Sequence, residues 1–351
     1  MTTLYPPLVY ISIVNYGRYI DTISCIESLM LLSDCRIRVV LVDNSSPGDD
    51  AERLASWLRS VSGVPRDDDV QRRWLIPTAY NYSENGNFEI LYVPSDVNGG
   101  FAAGCNIAIN LARTDPRYEY VWLLNNDTLV NSSSLTEMLS RFSHEDNVGM
   151  CGSTLVYYDK PDIVQGCGGY FNIALGRGRA IGAFERVDNL PAVSAVESSM
   201  NYVIGASLLV SKKCLESVGL LDERYFLYFE ELDWAVRAKK LGFKLAWSAK
   251  SIVIHKEGSA VGSAQRGRPS NLSLYFMTVN YLRFILARRP ILLPIAIVRT
   301  LVNAGKWAAR QDWQAVKITL TGLSDFSLRP LSSSGQQEVK RFTAIRPFGK
   351  L

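Results

Sequence analysis

Residues 226 to 237, FLYFEELDWAVR, place three carboxylates, Glu230, Glu231 and Asp233, and the guanidinium of Arg237 inside an otherwise aromatic and aliphatic stretch. Removing a charge from water costs several kcal/mol unless a partner compensates, so acids in such a setting are either paired for structure or held ready for proton transfer. A helix beginning near Phe229 makes Glu230 and Asp233 i,i+3 neighbours and Asp233 and Arg237 i,i+4 neighbours, and turns Glu231 about 100° from Glu230. Asp233 then has a cation to hold it, and Glu231 is freer to act as a base.

The elements that must position these acids follow a βαβα rhythm. Apolar, β-branched runs at 8–14, 37–43, 88–93 and 120–125 read as strands, and segments of helical period at 20–32, 49–60, 101–112 and 134–142 as helices. Alternation of this kind implies a mostly parallel sheet covered by helices, with ligands beyond the carboxyl ends of the strands. Those ends are polar: Asn15-Tyr16-Gly17, Asp43-Asn44-Ser45-Ser46, Asp96-Val97-Asn98-Gly99-Gly100 and Asn125-Asn126-Asp127-Thr128. A single Asn or Asp there is usually a turn or cap residue, whereas four successive polar ends describe one cleft. Gly99, Gly100 and Gly104 would let backbone approach a ligand and open a helix whose first amides could receive negative charge. The spacing is neither GxGxxG nor GxxxxGK[ST], so neither a dinucleotide fold nor a phosphate-loop NTPase is indicated.

Composition narrows the class. The 351 residues are 47% hydrophobic and 21% charged, as in a globular chain, and 38 basic against 34 acidic side chains, a net +4, is too even to imply a nucleic-acid binder. Six cysteines without CxxC spacing indicate reduced, mostly buried thiols of a cytoplasmic protein, not a zinc site or a disulfide framework. The first residues lack the basic stretch of a signal peptide, and their apolar run fits a strand.

The ordered set VNYG (14–17), LVDNSS (41–46), NGGFAAGCNIAI (98–109), WLLNNDT (122–128), YVIGASLLV (202–210), FLYFEELDWAVRAKKLGFKLAW (226–247) and His255 resembles glycosyltransferase family 2, and within it the bacterial rhamnosyltransferases. The resemblance covers roughly residues 8–285. It implies a GT-A fold, an α/β domain at 1–265 with a mostly parallel central sheet, followed by a C-terminal helical extension at 266–351. It also implies inverting transfer from a nucleotide sugar, dTDP-L-rhamnose or a UDP-sugar, with Mg²⁺ or Mn²⁺. Asp43 would accept from the N3–H of a uracil or thymine base, with Asn15, Gly17, Asn98 and Gly99 lining the same pocket. Asn125-Asn126-Asp127 occupies the place of the DxD motif, so Asn126 and Asp127 would face the donor and Asp127 would bind the cation. His255, one of two histidines, matches the HxxG position and would be the second ligand. In the pattern ED-x-D-x-x-x-R the second acid is the base, which here is Glu231, a glutamate where an aspartate is more usual. Glu230 and Asp233 would orient it or contact the acceptor, and the loop from Asn201 to Ala206 would border that acceptor.

From 271 to 323 the chain turns to apolar and aromatic helices studded with Arg283, Arg288, Arg289, Arg299 and Lys306. The longest uncharged stretch there, 269–282, has 14 residues, below the roughly 20 that cross a bilayer. Such helices would lie on an anionic membrane surface beside a lipid-linked or polysaccharide acceptor, at the inner face of the cytoplasmic membrane, or pack on the domain or on a second copy in a homo-oligomer. Two readings of other classes remain: a nucleotide-sugar nucleotidyltransferase, for which Val14 to Gly17 lacks the basic glycine-rich signature, and a non-catalytic sugar-binding protein derived from a transferase.

Overall fold

The computed structural model describes residues 6–33, 35–62, 78–81, 88–256 and 269–326. The expected 265/266 domain boundary and the tail beyond 326 lie outside them. The first half alternates as β1 (Leu8–Asn15), α1 (Tyr19–Leu29), β2 (Arg36–Asp43), α2 (Asp50–Ser62), β3 (Thr78–Asn81), β4 (Phe88–Pro94), α3 (Gly100–Thr114) and β5 (Tyr118–Asn125). The chain continues through β6 (Thr128–Val130), α4 (Ser134–His144), β7 (Val148–Tyr157), β8 (Val164–Gly166), β9 (Gly168–Asn172), β10 (Arg177–Ile181), α5 (Val193–Ser199) and β11 (Ser207–Ser211). It ends in α6 (Lys212–Val218), α7 (Glu230–Lys240), β12 (Lys244–His255), α8 (Asn271–Arg288), α9 (Leu293–Ala309) and α10 (Trp313–Asp325).

One sheet runs in the order β3-β4-β2-β1-β5-β11-β7-β12-β6, with β8 alongside β7. Strands β4, β2, β1 and β5 are parallel because helical crossovers join them. β11 then enters antiparallel between β5 and β7, so the parallel order belongs to the first half and the second half is mixed. β1 sends Val9, Ile11 and Ile13 toward α1, α2 and α4, and Leu8 and Tyr10 toward α3, α6 and α7. With both faces covered, its sequence reads as a continuous apolar run. All six cysteines are free thiols, five of them buried.

The C-terminal helices are packed directly on the acid-bearing segment. Tyr225 and Leu232 share a core with Tyr281, Leu282, Phe284 and Ile285 of α8 and Ala296 of α9, and the Phe226 ring stacks on Phe276 at 5.0 Å. One expectation needs correcting here. The 20 residues Pro290–Ala309 have the length and hydropathy of a membrane crossing, although only 17% of that window is buried inside the protein. Counting charge-free runs misses them because Arg299 and Lys306 fall inside. Length and composition alone are weak evidence of a span, since soluble helices meet the same test.

Candidate active site

The parallel strand ends form a pre-built polar network. Asn15 Nδ2 donates to Asp43 Oδ1 and to Ser46 Oγ, both at 2.8 Å, and the Gly17 amide donates to Ser46 Oγ at 3.0 Å. Ser46 Oγ in turn donates to Asp43 Oδ1, and Thr22 Oγ1 donates to Asn15 Oδ1 at 2.7 Å. Asn126 joins from β5, its Nδ2 reaching Thr22 Oγ1 at 2.9 Å. Asn44 ties in the next end, donating to Asn98 Oδ1 at 2.8 Å and accepting from the Gly99 amide at 3.2 Å. Thus Asn15, Gly17, Asp43, Asn98, Gly99 and Asn126 are brought together, with Thr22, Asn44 and Ser46 as connectors. Asp43 is buried, and its Oδ2 takes only a long 3.4 Å contact from the Ser46 amide. A carboxylate has about four acceptor positions, so this one retains capacity for an incoming N–H.

The glycine-rich helix start behaves differently from the sequence expectation. The amides of Gly99, Gly100 and Phe101 are taken by Asn44 Oδ1, Asn98 Oδ1 and the Phe226 carbonyl. That end of α3 is therefore satisfied by protein groups and does not offer these amides to an anion. Gly100 serves close approach instead: its φ is +85°, and a Cβ there would sit 2.2 Å from the Phe226 oxygen. The glycine docks α3 against the segment that carries the acids.

Asp127 and His255 meet through strand register. β6 pairs antiparallel with β12, setting His255 opposite Thr128, and the Lys256 amide bonds the Asp127 carbonyl at 3.0 Å. His255 Nε2 then lies 3.3 Å from Asp127 Oδ1 and 3.4 Å from Asn125 Nδ2. On its other side His255 Nδ1 is 2.7 Å from Gln165 Oε1. An amide oxygen only accepts, so Nδ1 carries a proton and the ring turns its Nε2 toward Asp127. Two ligand atoms bound cis to one cation at about 2.1 Å stand about 3 Å apart, which this spacing fits. Among the described residues no group of three or more His, Cys, Asp or Glu could hold a metal. Protein would therefore supply this pair, and phosphate and water oxygens the rest.

The acid segment is strained and underpaired. Tyr228 (φ 68°) and Phe229 (φ 77°) are successive left-handed non-glycine residues immediately before α7, a conformation costing about 1–3 kcal/mol each. It is held by α8: Asn280 Nδ2 donates to the carbonyls of Leu227 and Tyr228 at 2.8 and 3.1 Å, and Tyr228 and Ser273 share a 2.9 Å hydroxyl bond. The turn delivers Glu230 and Glu231 to the first turn of α7, where the helix dipole favours negative charge. Yet Oε2 of each is buried without a hydrogen-bond partner. Burial pushes the Glu231 carboxyl up to about 7; Glu230, buried beside the Glu231 charge, rises well above the carboxylate range. Glu231 is only half-buried as a residue, although its Oε2 is shut off from solvent.

Asp233 does not share this state. It is fully buried and clamped by Arg237 Nε at 2.9 Å and by Arg288 at 2.5 and 2.9 Å, so it ties α7 to α8. Arg237 also caps the carbonyls of Val218 and Leu220, each at 2.8 Å. The structure thus moves Asp233 out of the reactive pair, for the reason that two guanidiniums already satisfy it. Asn201 is likewise engaged, accepting from the Phe171 amide at 2.9 Å and donating to its carbonyl at 2.8 Å. An aspartate could not make the second bond, which accounts for the amide at this position. Further along that loop, the Asn125 amide bonds the Ala206 carbonyl at 3.1 Å, and Gly205 lies against the Glu231 carboxyl. One short loop therefore links the Asp127 side of the site to Glu231.

Glu231 opens into a cavity of about 790 Å³ between the β9–β10 hairpin, the start of α7 and the C-terminal helices. Tyr202, Tyr228, Phe229, Tyr281 and Trp307 form aromatic walls. Gln165, Arg288 and Asn280 were not found from sequence, since nothing local marks residues whose partners lie 90, 55 and 52 positions away.

A parallel half-sheet with a polar cleft at its carboxyl ends, joined to a mixed half that bears buried acids, defines the GT-A class of transferase folds. The family model "Glycosyl transferase family 2" matches residues 77–191. The chain is 24% identical over 172 residues to the low-salt glycan biosynthesis hexosyltransferase Agl10 of Haloferax volcanii, covering 48% of this chain and 52% of that one. It is 24% identical over 277 residues to the amylovoran biosynthesis glycosyltransferase AmsB of Erwinia amylovora, covering 75% and 77%. Among solved structures it resembles GalNAc-T7 with UDP, GalNAc and Mn²⁺, with a TM-score of 0.55 and 12% identity over 80% of this chain and 48% of that one. The match thus spans about half the length of Agl10 and of GalNAc-T7. The chain is similar to glycosyltransferase family 2 over about a third of its length, and its fold is of the GT-A class.

Proposed function

We propose that this chain is an inverting glycosyltransferase of cell-surface glycan assembly. The observation that carries the reading is the Glu231 carboxyl, its Oε2 buried without a partner, raised to about 7 and lining a cavity large enough for a sugar. A base works best when its pKa lies near the working pH, and Glu231 meets that condition without a competing partner. Glu231 takes the proton of the acceptor hydroxyl as its oxygen attacks the anomeric carbon, and the nucleoside diphosphate leaves from the opposite face. Burial keeps the proton affinity of Glu231 high and Glu230 packs beside it, while Asp233 acts only through the position of α7.

Asp43, with Asn15, Gly17, Asn98 and Gly99, receives the nucleoside, and Asn126 stiffens the pocket through Thr22. Asp127 and His255 hold a divalent cation, Mg²⁺ or Mn²⁺, which when bound neutralises charge on the leaving diphosphate. Support for a cation comes from His255 Nε2 and Asp127 Oδ1 converging to 3.3 Å and from the Mn²⁺ present with UDP in the GalNAc-T7 structure. The donor is dTDP-L-rhamnose or a UDP-sugar, and the acceptor a lipid-linked or polysaccharide glycan at the inner face of the cytoplasmic membrane. The rhamnose assignment rests on the motif resemblance. Segments 1–265 and 266–351 act as catalytic domain and helical extension.

Purified protein incubated with divalent cation and a panel of nucleotide sugars should release free nucleoside diphosphate from one of them. Pyrophosphate release would indicate a nucleotidyltransferase, and tight binding without turnover a non-catalytic binder; either would overturn the proposal.

A further inference from the structure

The α9 wall of the Glu231 cavity carries a row of cations. Arg299, Lys306 and the helix C-cap Arg310 follow one another at about two turns and then one, so they share a face of α9 and span about 16 Å of it. Across the opening, Arg177 and Arg179 stand two positions apart on β10 and so on one side of that strand. Arg179 lines the Glu231 cavity, Arg177 lines an adjoining one of about 520 Å³, and Arg299 and Lys306 line both. The hairpin turn closes on the helix at Gly176, where a Cβ would fall 1.9 Å from the Arg299 Nη1.

Nothing of opposite sign answers them. Glu231 is the one carboxylate among the described lining residues of the two cavities, and the sequence from 269 to 311 holds no Asp or Glu. Among the described residues none of the five cations makes an ion pair with an acid. Arg299, Arg310 and Arg179 rest instead over the rings of Tyr281, Trp307 and Tyr170, which leaves their donor edges free for an anion. Like charges gathered in this way repel one another and gain only when an anion enters between them. The row also starts beside the base: the Tyr281 ring, which carries Arg299 at 5.1 Å, lies 6.4 Å from the ring of Phe229 at the head of α7.

We infer that the acceptor is an acidic glycan, a chain whose successive sugars bear carboxylates, with its terminal hydroxyl at Glu231 and its carboxylates along Arg299, Lys306 and Arg310, faced by Arg179. This rests on the transferase reading and names the charge and length of the acceptor at the same site. The spacing of the cations decides between sources of negative charge. One phosphate could meet one or two of them, whereas a row about 16 Å long matches charge repeated along a chain. A neutral glycan would stack on the aromatic walls and leave the whole row unanswered.

Calorimetry on the full chain can compare tetragalacturonate with galacturonate, maltotetraose, inorganic phosphate and a tetraglutamate peptide, and separately measure dTDP and UDP with Mn²⁺. Tetragalacturonate should bind at least about tenfold tighter than each of the other four, because it alone joins sugar rings to several linked carboxylates. Lys306→Gln and Arg310→Gln, both at exposed positions, should each weaken it about tenfold, the worth of a charge-assisted hydrogen bond, while nucleotide affinity stays unchanged. Equal binding of galacturonate or phosphate would mean a single-anion site, of maltotetraose a neutral-sugar groove, and of tetraglutamate an unselective attraction for polyanions. Any of these, or a parallel loss of nucleotide affinity in the two variants, overturns the inference. The measurement needs no turnover, so its failure is distinct from a failure to release nucleoside diphosphate, which would sink the transferase reading instead.

Discussion

The two halves of the site are built on opposite rules. At the parallel strand ends Asn15, Asp43, Ser46, Thr22 and Asn126 bond one another within a few residues of each strand, and the network is complete before any ligand arrives. At the start of α7 two carboxyls are buried with an oxygen each unsatisfied, behind two left-handed residues. A nucleotide pocket gains from rigidity, since ordering it on binding would cost affinity. A base gains from being unsatisfied, because every hydrogen bond to the carboxylate would lower its proton affinity. Asp233 sharpens the contrast from within the same helix: two residues beyond Glu231, it is wholly paired.

Glu231→Gln tests the unsatisfied half most severely. Sugar transfer should fall by about 10³-fold, within the range for losing a general base, while calorimetry finds dTDP or UDP affinity unchanged. Substantial retained activity would remove the role of base from Glu231. The next largest effect is on stability. Asp233→Asn leaves Arg288 and Arg237 facing a neutral amide, and denaturant unfolding should register a loss of about 3 kcal/mol, as when one member of a buried pair is removed. If the loss appears in transfer rate with stability untouched, Asp233 belongs to the reactive pair after all.

The cation pair should show a smaller, graded response. His255→Ala should abolish the dependence of donor binding on divalent cation. Gln165→Leu, which removes the acceptor for His255 Nδ1–H, should raise the cation concentration required by about 10–100-fold. A titration of transfer or of UDP binding against Mn²⁺ separates the two, and an unchanged requirement in both variants would displace the cation from this pair.

What could be read from sequence follows the distance between partners. The strand ends were legible because an apolar, β-branched run marks each strand and each polar end lies immediately after it. Asp233 with Arg237 was legible because helical spacing brings i and i+4 together. The contacts that complete the site were not, since Arg288 reaches Asp233 across 55 residues and Gln165 reaches His255 across 90. Gly100 was legible as a close approach but not as to what approaches, and the neighbour proved to be the Phe226 carbonyl, not a ligand. The length of the helical extension suggested an appendage, whereas Asn280 makes it the brace of the strained turn.

The mildest test reads the same contrast through pH. The proposed base Glu231 could act only when ionised, and its carboxyl is raised from 4.5 to about 7. Transfer should therefore climb through about pH 7 and be about fivefold slower at pH 6 than at pH 7, following the ionised fraction. Stability should run the other way. Between 4.5 and 7 the folded chain holds a proton that the unfolded chain has lost, so stability declines as pH rises across that window and stays lower above it. A neutral amide at 231 escapes this loss. Glu231→Gln should thus melt at a higher temperature than the parent at pH 8 and close to it at pH 4. A gap that fails to widen with pH would mean that the Glu231 carboxyl is solvated in the native state, and the two halves of the site would no longer differ in kind.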